Sequence, residues 1–393
     1  MNRVKSLLAG AALSLCLVAP AFGADTIKIG NTMPYSGPLS VYGTVGRAIA
    51  GYFDMINDNG GINGRMVEFI TLDDAYSPPK TVEQIRKLVE QEEVLLLFST
   101  TGTPTNSAVH KYINAKKIPH LFLYTGASKW GQPEKYPWTM GYWPAYATEA
   151  KVYAQYILDN IPDARIGILS QNDDYGKDYV EGFKEGLGAA ADKLIVAEMT
   201  FEATDPTIDS QIVTLKTSGA NVFFDVTSAK HAAQAIRRAY DIGWHPTHFL
   251  NNVSTSVEVV LKTAGLEKAV GIISAAYLKD PTDPQWRGAP DYEAWIQWMD
   301  RYYPEGNKQD YLNSYAYGVA FVMTEVLKAC GDDLSRENIM RQAASMKDLE
   351  VPMVLPGIRI NTGPDDFYPV QQLKLMRFDG EKWALFGEVI AVE

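Results

Sequence analysis

Short apolar runs alternate with amphipathic stretches along most of this chain, and that alternation predicts its architecture. Thr26–Gly30, Val67–Leu72, Val94–Phe98 and Ile118–Tyr124 are apolar-rich and of strand length. Between them apolar positions return at helical spacing. Val45, Ile49, Tyr52, Phe53 and Ile56 mark a helix over 42–59, and Val82, Ile85, Leu88 and Val89 one over 81–92. Ala108, Tyr112, Ile113 and Ala115 mark a third, opened by Pro104 with Thr103 before it as the natural N-cap. Gly60-Gly61 stops the first helix, glycine being free to take the left-handed turn. Strand and helix in strict alternation predict a parallel sheet covered on both faces.

The alternation breaks at Pro133–Glu149, rich in proline and aromatics and without a period, which reads as a crossing between lobes. It restarts with strands at Arg165–Ser170, Leu194–Thr200, Val222–Val226, Thr247–Asn251 and Val270–Ser274. Helices are expected at Gly176–Ala190, Thr207–Ser218, Ala229–Ile242 and Ser256–Ala264. After Tyr277, helical spacing returns at Tyr292, Trp295, Ile296 and Met299, and again at Tyr311, Tyr315, Val319, Val322 and Val326. These stripes read as core, with Tyr315 near enough to a helix start to reach the cleft. Gln371–Phe378 and Trp383–Val392 read as a hairpin turning at Asp379-Gly380.

Two such series need two cores, and 393 residues suffice for both. The N-terminus stands outside the pattern. Arg3 and Lys5, the apolar Leu7–Val18 and the small-x-small Ala21-Phe22-Gly23 read as a secretory signal peptide, 1–23, cleaved near Gly23-Ala24. Its apolar run is too short to span a bilayer. A lipoprotein reading around Cys16 is weaker, because the bulky Leu15 stands where a small residue is wanted. No later stretch is long and apolar enough to cross a membrane, so a soluble periplasmic protein is expected. Loss of Arg3 and Lys5, with no acid, takes the formal charge from −11 to −13. An acidic surface argues against nucleic acid or anionic membrane as a partner. Cys330 is then the one cysteine left and reads as a buried structural thiol.

Catalytic patterns are missing. There is no Walker loop, no dinucleotide fingerprint after a strand, no Gly-x-Ser-x-Gly elbow and no His-Glu-x-x-His, so no cofactor is expected. His245 and His248 are close, but Pro246 disfavours a helix that would align them on a metal. Asp73-Asp74 and Asp173-Asp174 end strands and read as solvated or capping acids. The loops Ser99–Thr103 and Thr125–Ser128 carry hydroxyls and free backbone N–H groups at the carboxyl ends of strands. That is where open parallel sheets bind ligands, and such groups suit a carboxylate. Tyr42-Gly43 and Tyr175-Gly176 precede the first helix of each series, placing two aromatics at a shared cleft.

Taken together, KIGNTMPYSGP at 28–38, NDNGGINGR at 57–65, LDDA at 72–75, GTPTN at 102–106 and DYGK at 174–177 resemble the exported solute-binding proteins of ABC transporters in the branched-chain amino-acid class. The resemblance covers nearly the whole mature chain. It implies an α/β fold of two doubly wound parallel-sheet lobes joined by a three-stranded hinge, the type I periplasmic binding protein. Lobe 1 would comprise 24–141 and 277–357, and lobe 2 142–276 and 358–393. It also implies a monomer, without catalysis, that closes on a small ligand and docks on an inner-membrane ABC permease. By position, Thr103 would hold a ligand carboxylate, with Tyr124, Thr125 and Gly126 beside it. Tyr42 would line the pocket, and Tyr175 and Ser228 would close over it. Asn252 falls in the loop that carries a ligand-pairing glutamate in leucine binders, and Tyr277 adds an aromatic near the cleft. Two departures stand out. The disulfide of leucine binders falls on Tyr76 and Gly102, and the glutamate falls in Asn251–Ser254, which holds no acid. Unless Asp173, Asp174 or Asp225 substitutes, the ligand has a carboxylate and no ammonium, and the tyrosines favour an aromatic or arylalkanoic acid. A branched-chain or aromatic amino acid is the second reading. A sensory ligand-binding module and an exported α/β enzyme are the rival classes.

Overall fold

The computed structural model describes residues 26–391; the segment read as an export signal lies outside them. The first sheet comprises β1 (Ile27–Met33), β2 (Val67–Asp73), β3 (Leu96–Phe98), β4 (His120–Leu123) and β5 (Thr139–Gly141). All are parallel, in the order β2-β1-β3-β4-β5. α1 (Thr44–Asp58), α2 (Pro78–Glu90) and α3 (Thr103–Ala115) are the crossovers. β3 and β4 are wholly buried, the condition that calls for their unbroken apolar runs.

α4 (Tyr146–Asn160) carries the chain to a second sheet. There follow β6 (Ile166–Gln171), α5 (Asp174–Leu187), a short α6 (Ala191–Leu194), β7 (Ile195–Phe201), α7 (Asp209–Thr217) and β8 (Val222–Val226). Next come α8 (Ala229–Asp241), β9 (Thr247–Leu250), a single turn α9 (Lys262–Ala264) and β10 (Ile273–Ala276). α10 (Pro290–Tyr302), α11 (Tyr311–Ala329) and α12 (Arg336–Ala343) return to the first sheet, where Thr44 bonds Asn313 at 2.8 Å and Arg336 bonds the Leu95 carbonyl at 3.1 Å. β11 (Gln372–Phe378) and β12 (Trp383–Ala391) then complete the second sheet as an antiparallel edge, in the order β12-β11-β10-β9-β8-β6-β7.

The chain passes between the sheets through Tyr142–Ala145, through Tyr277, and again before β11. The second and third passages run side by side: Leu278 pairs with Val354, and the Leu355 N–H donates to the Tyr277 carbonyl at 2.8 Å. Residues 358–362 still hold to the α12 end, with Ile360 paired to Leu349 and the Thr362 hydroxyl on the Ala343 carbonyl at 2.7 Å.

Four local expectations are corrected. α4 lies where no helix was expected. Its inward face, Tyr146, Glu149, Ala150, Tyr153 and Ile157, has helical spacing, but a buried glutamate interrupts the apolar stripe. The N-cap of α3 is Gly102, at φ 93°, and Thr103 is the first helical residue. The segment after Ser256 is a π turn, Val257–Leu261, before α9. β10 starts at Ile273, because Gly271 turns the chain at φ 90° and leaves Val270 57% exposed.

Candidate functional site

The carboxyl ends of the two sheets face each other across a cavity of about 450 Å³, at the small end for ligand sites. Leu39, Tyr42, Tyr76, Thr101, Gly102, Thr103, Tyr124 and Thr125 line it from the first sheet. Trp143 and Tyr146 line it from the first passage, and Gln171, Tyr175, Ser228 and Val253 from the second sheet. Tyr42, Tyr124 and Tyr175 are all buried, so the cleft is closed. Contacts across it hold the closure. The Tyr42 hydroxyl accepts the Ala229 N–H at 3.1 Å and donates to the Val253 carbonyl at 3.4 Å. Lys129 pairs with Asp174 at 2.7 Å, and the Ser128 N–H and hydroxyl donate to Asp178.

Tyr124 and Thr125 are consecutive, and their side chains leave the strand end in opposite directions. Thr125 goes to a hydroxyl cluster. Its Oγ1 accepts from Tyr146 at 3.3 Å and from Trp130 at 3.5 Å, and lies 2.6 Å from Thr103 Oγ1. With both lone pairs engaged, Thr125 gives its own proton to Thr103, which leaves the Thr103 proton for an acceptor in the cavity. Tyr124 goes to an aromatic cluster, stacked on Tyr315 at 4.6 Å, edge-on to Tyr42 at 6.1 Å and tilted against Trp143 at 5.3 Å. Tyr315 is thus behind the wall rather than in it.

Four helices begin at the cavity: α3 at Thr103, α4 at Tyr146, α5 beside Tyr175, and α8 after Ser228. No side chain caps α3 or α4. Asp173 caps α5, accepting the Tyr175 and Gly176 N–H groups at 3.0 and 3.3 Å. Tyr175 donates its hydroxyl to the Thr227 carbonyl at 3.1 Å, so it presents a ring to the cavity, not a free hydroxyl. Ser228 donates to Gln171 Oε1 at 3.2 Å, and Gln171 is itself held on Asp173 at 2.6 Å. Burial pushes the Tyr42 phenol up to about 12 and those of Tyr124 and Tyr175 well above the usual value, so all stay neutral.

Of the positions expected from sequence, Tyr42, Thr103, Tyr124, Thr125, Tyr175 and Ser228 meet at this cavity. Gly126, Asn252 and Tyr277 do not. Gly126 packs so tightly on the Pro144 carbonyl that a Cβ would lie 2.2 Å from it, and its own carbonyl accepts the Tyr146 N–H at 2.7 Å. It seats the start of α4. Asn252 and Tyr277 line a second space of about 300 Å³, behind the wall formed by Trp143, which packs on Tyr277 at 5.5 Å. The passages between sheets carry them past the cleft.

Sequence reasoning passed over Tyr76, Trp143, Tyr146 and Gln171. The aromatic density of 133–149 was the available signal for two of them.

A periplasmic binding protein family model matches residues 26–382. The chain belongs to that family. Its relatives include the Leu/Ile/Val-binding protein homolog 1 of Brucella abortus (strain 2308), 23% identical over 343 residues, which cover 85% of this chain and 86% of that one. A branched-chain amino-acid ABC transporter protein from Thermus thermophilus, solved with bound valine, matches with a TM-score of 0.84 at 15% identity over 94% of this chain and 97% of that one. A fatty acid ABC transporter substrate-binding protein from Thermomonospora curvata matches with a TM-score of 0.79 at 20% identity over 94% and 93%. These likenesses show the type I periplasmic binding protein fold.

Within that family fold the two departures take physical form. Where a disulfide would tie the first-sheet loops, the Tyr76 ring lies on Gly102, so close that a Cβ there would sit 2.4 Å from it. Asp74 sets this contact by accepting the Tyr76 N–H at 2.9 Å. No acid lines the cavity, and the candidate substitutes are engaged elsewhere. Asp173 caps α5, Asp174 pairs with Lys129, and Asp225 accepts from Thr227 at 2.7 Å and meets His248 at 3.1 Å.

Proposed function

We propose that this periplasmic binding protein captures a small carboxylate without an amino group, an aromatic or arylalkanoic acid, and presents it to the membrane permease of an ABC importer. The observation that carries the reading is the charge of the cavity. Its lining has no acidic and no basic side chain, while four helix N-termini converge on it. An anion gains from those termini and from the free Thr103 proton. An ammonium would be buried without a counter-charge, at a cost of several kcal/mol, comparable to most of a typical binding energy. The rings of Tyr42, Tyr124, Trp143, Tyr146 and Tyr175 suit a flat apolar body.

An amino acid is the second reading, favoured by the Leu/Ile/Val-binding name of the Brucella relative and the valine in the Thermus protein. The fatty acid named for the Thermomonospora protein is an amine-free carboxylate.

Thermal shift on protein stripped of ligand by unfolding and refolding separates the two. The expected stabilisers are 3-phenylpropionate, cinnamate and 4-hydroxycinnamate, each adding about 2.7 kcal/mol at 100 times its dissociation constant. Stabilisation by L-phenylalanine or L-leucine alone overturns the amine-free reading.

A further inference from the structure

We propose that the aromatic end of the cavity holds a second polar subsite, built from the Tyr124 hydroxyl and the Trp143 indole N–H, which selects ligands bearing an oxygen acceptor on the body away from the carboxylate. This rests on the proposed carboxylate reading for the orientation of the ligand.

Both residues line the cavity, and both are more than nine-tenths buried, Tyr124 at 6% and Trp143 at 3% exposure. Neither polar atom has a hydrogen-bond partner in the protein. The neighbours of Tyr124 and Trp143 explain why. Tyr42, Tyr277, Tyr311 and Tyr315 surround them with ring faces and edges, and the Tyr42 and Tyr311 hydroxyls are spent on backbone carbonyls of Val253 and Asn252. Buried donors are almost always satisfied, and an indole N–H can only donate. Two such atoms on one wall of one cavity therefore ask for an acceptor from the ligand.

The opposite end is already assigned by its bonding. Thr103, Thr125 and Tyr146 are joined hydroxyl to hydroxyl and offer one outward proton. A ligand seated by its carboxylate on Thr103 lays its body toward Tyr124 and Trp143, because Tyr124 and Thr125 diverge from the same strand end. A ring hydroxyl, methoxy or keto oxygen meets both donors there, whereas an unsubstituted ring leaves them unpaired.

Calorimetric titration of ligand-stripped full-length protein tests this with 3-phenylpropionate against its 3-hydroxyphenyl and 4-hydroxyphenyl analogues. The parent protein should prefer at least one hydroxylated acid by about tenfold, the scale of a single buried hydrogen bond. Tyr124→Phe and Trp143→Phe should each shrink that ratio to about threefold or less, with 3-phenylpropionate affinity held within about threefold. Tyr124→Phe should also keep the parent's melting temperature, since the hydroxyl it removes bonds nothing. L-phenylalanine against L-tyrosine runs in parallel. If only the amino acids bind, the carboxylate-only reading fails, and this pair reads the subsite by the same loss of preference. A parent without preference in whichever series binds, a preference that survives both substitutions, or no binding in either series overturns the subsite.

Discussion

Thr103 shows how a single residue acquires its role from its neighbours. A threonine at a helix start is ordinary, and the sequence suggested a cap. The structure gives the cap position to Gly102 and leaves the Thr103 hydroxyl at the end of a donor chain from Trp130 and Tyr146 through Thr125. Thr103→Ala should weaken binding of the carboxylate ligand by about 1–3 kcal/mol with little change in melting temperature, as for loss of one hydrogen bond to a charge. Equal affinity in titrations of parent and variant would remove Thr103 from the site. Glu149 is a different case. It is buried in α4 and accepts from Tyr153 at 2.7 Å, Tyr179 at 2.8 Å and the Asn252 N–H at 2.7 Å, with no cation beside it. Burial raises its pKa from 4.5 to about 7, against the pull of those bonds. Between these values the folded chain binds more protons than the unfolded one, so this group costs stability as pH rises through that window. Glu149→Gln keeps the shape without the titration. The stability of the variant relative to the parent should therefore rise by roughly 3 kcal/mol from pH 5 to pH 8. A pH-independent difference in denaturant melts would contradict the raised pKa.

At the scale of elements, legibility followed the purity of the pattern. β8 was read to the residue, because Val222–Val226 is an unbroken buried run closed by turn residues. α4 was missed because Glu149 sits in its stripe and Pro144 and the aromatics before it erase the period. The hydroxyl-rich loops after β3 and β4 were legible as a cavity wall, since strand ends of a parallel sheet share one edge. Tyr76 was not, because its place over Gly102 depends on a left-handed turn at φ 58° that no local pattern announces. Asn252 and Tyr277 were near in sequence to cavity elements and still fell behind Trp143. Asp173 illustrates an element-level role hidden in a residue-level one. As a candidate ammonium partner it would need its charge; as the cap of α5 it needs only its oxygen. Asp173→Ala should lower unfolding free energy by about 1 kcal/mol and loosen Tyr175 and Gln171. Asp173→Asn should restore both stability and ligand affinity, since asparagine caps as well. Lost binding in the Asn variant with stability intact would return Asp173 to the ligand.

At the scale of the whole molecule, capture depends on the closed form having more to gain from the ligand than the open one. Tyr42 is where that difference is built into the protein itself. It lies before α1 on the first sheet, and its hydroxyl takes the first N–H of α8 and reaches the Val253 carbonyl on the second. In an open cleft water satisfies all three groups. In the closed cleft Tyr42→Phe leaves the Ala229 N–H buried and unpaired, a penalty of about 1–3 kcal/mol that falls on closure alone. Two effects follow together. Affinity for the ligand should drop by roughly 5- to 150-fold, chiefly through faster dissociation, because the lost bonds hold the lobes rather than the ligand. Small-angle scattering should show the variant needing correspondingly more ligand to reach the compact form, yet reaching the same radius at saturation. A residue that served only as pocket wall would lose far less on removal of one oxygen from an aromatic face. Stopped-flow release rates that match the parent would assign Tyr42 to the wall and move the closure energy to Lys129–Asp174 and Ser128–Asp178 on the far side of the cleft.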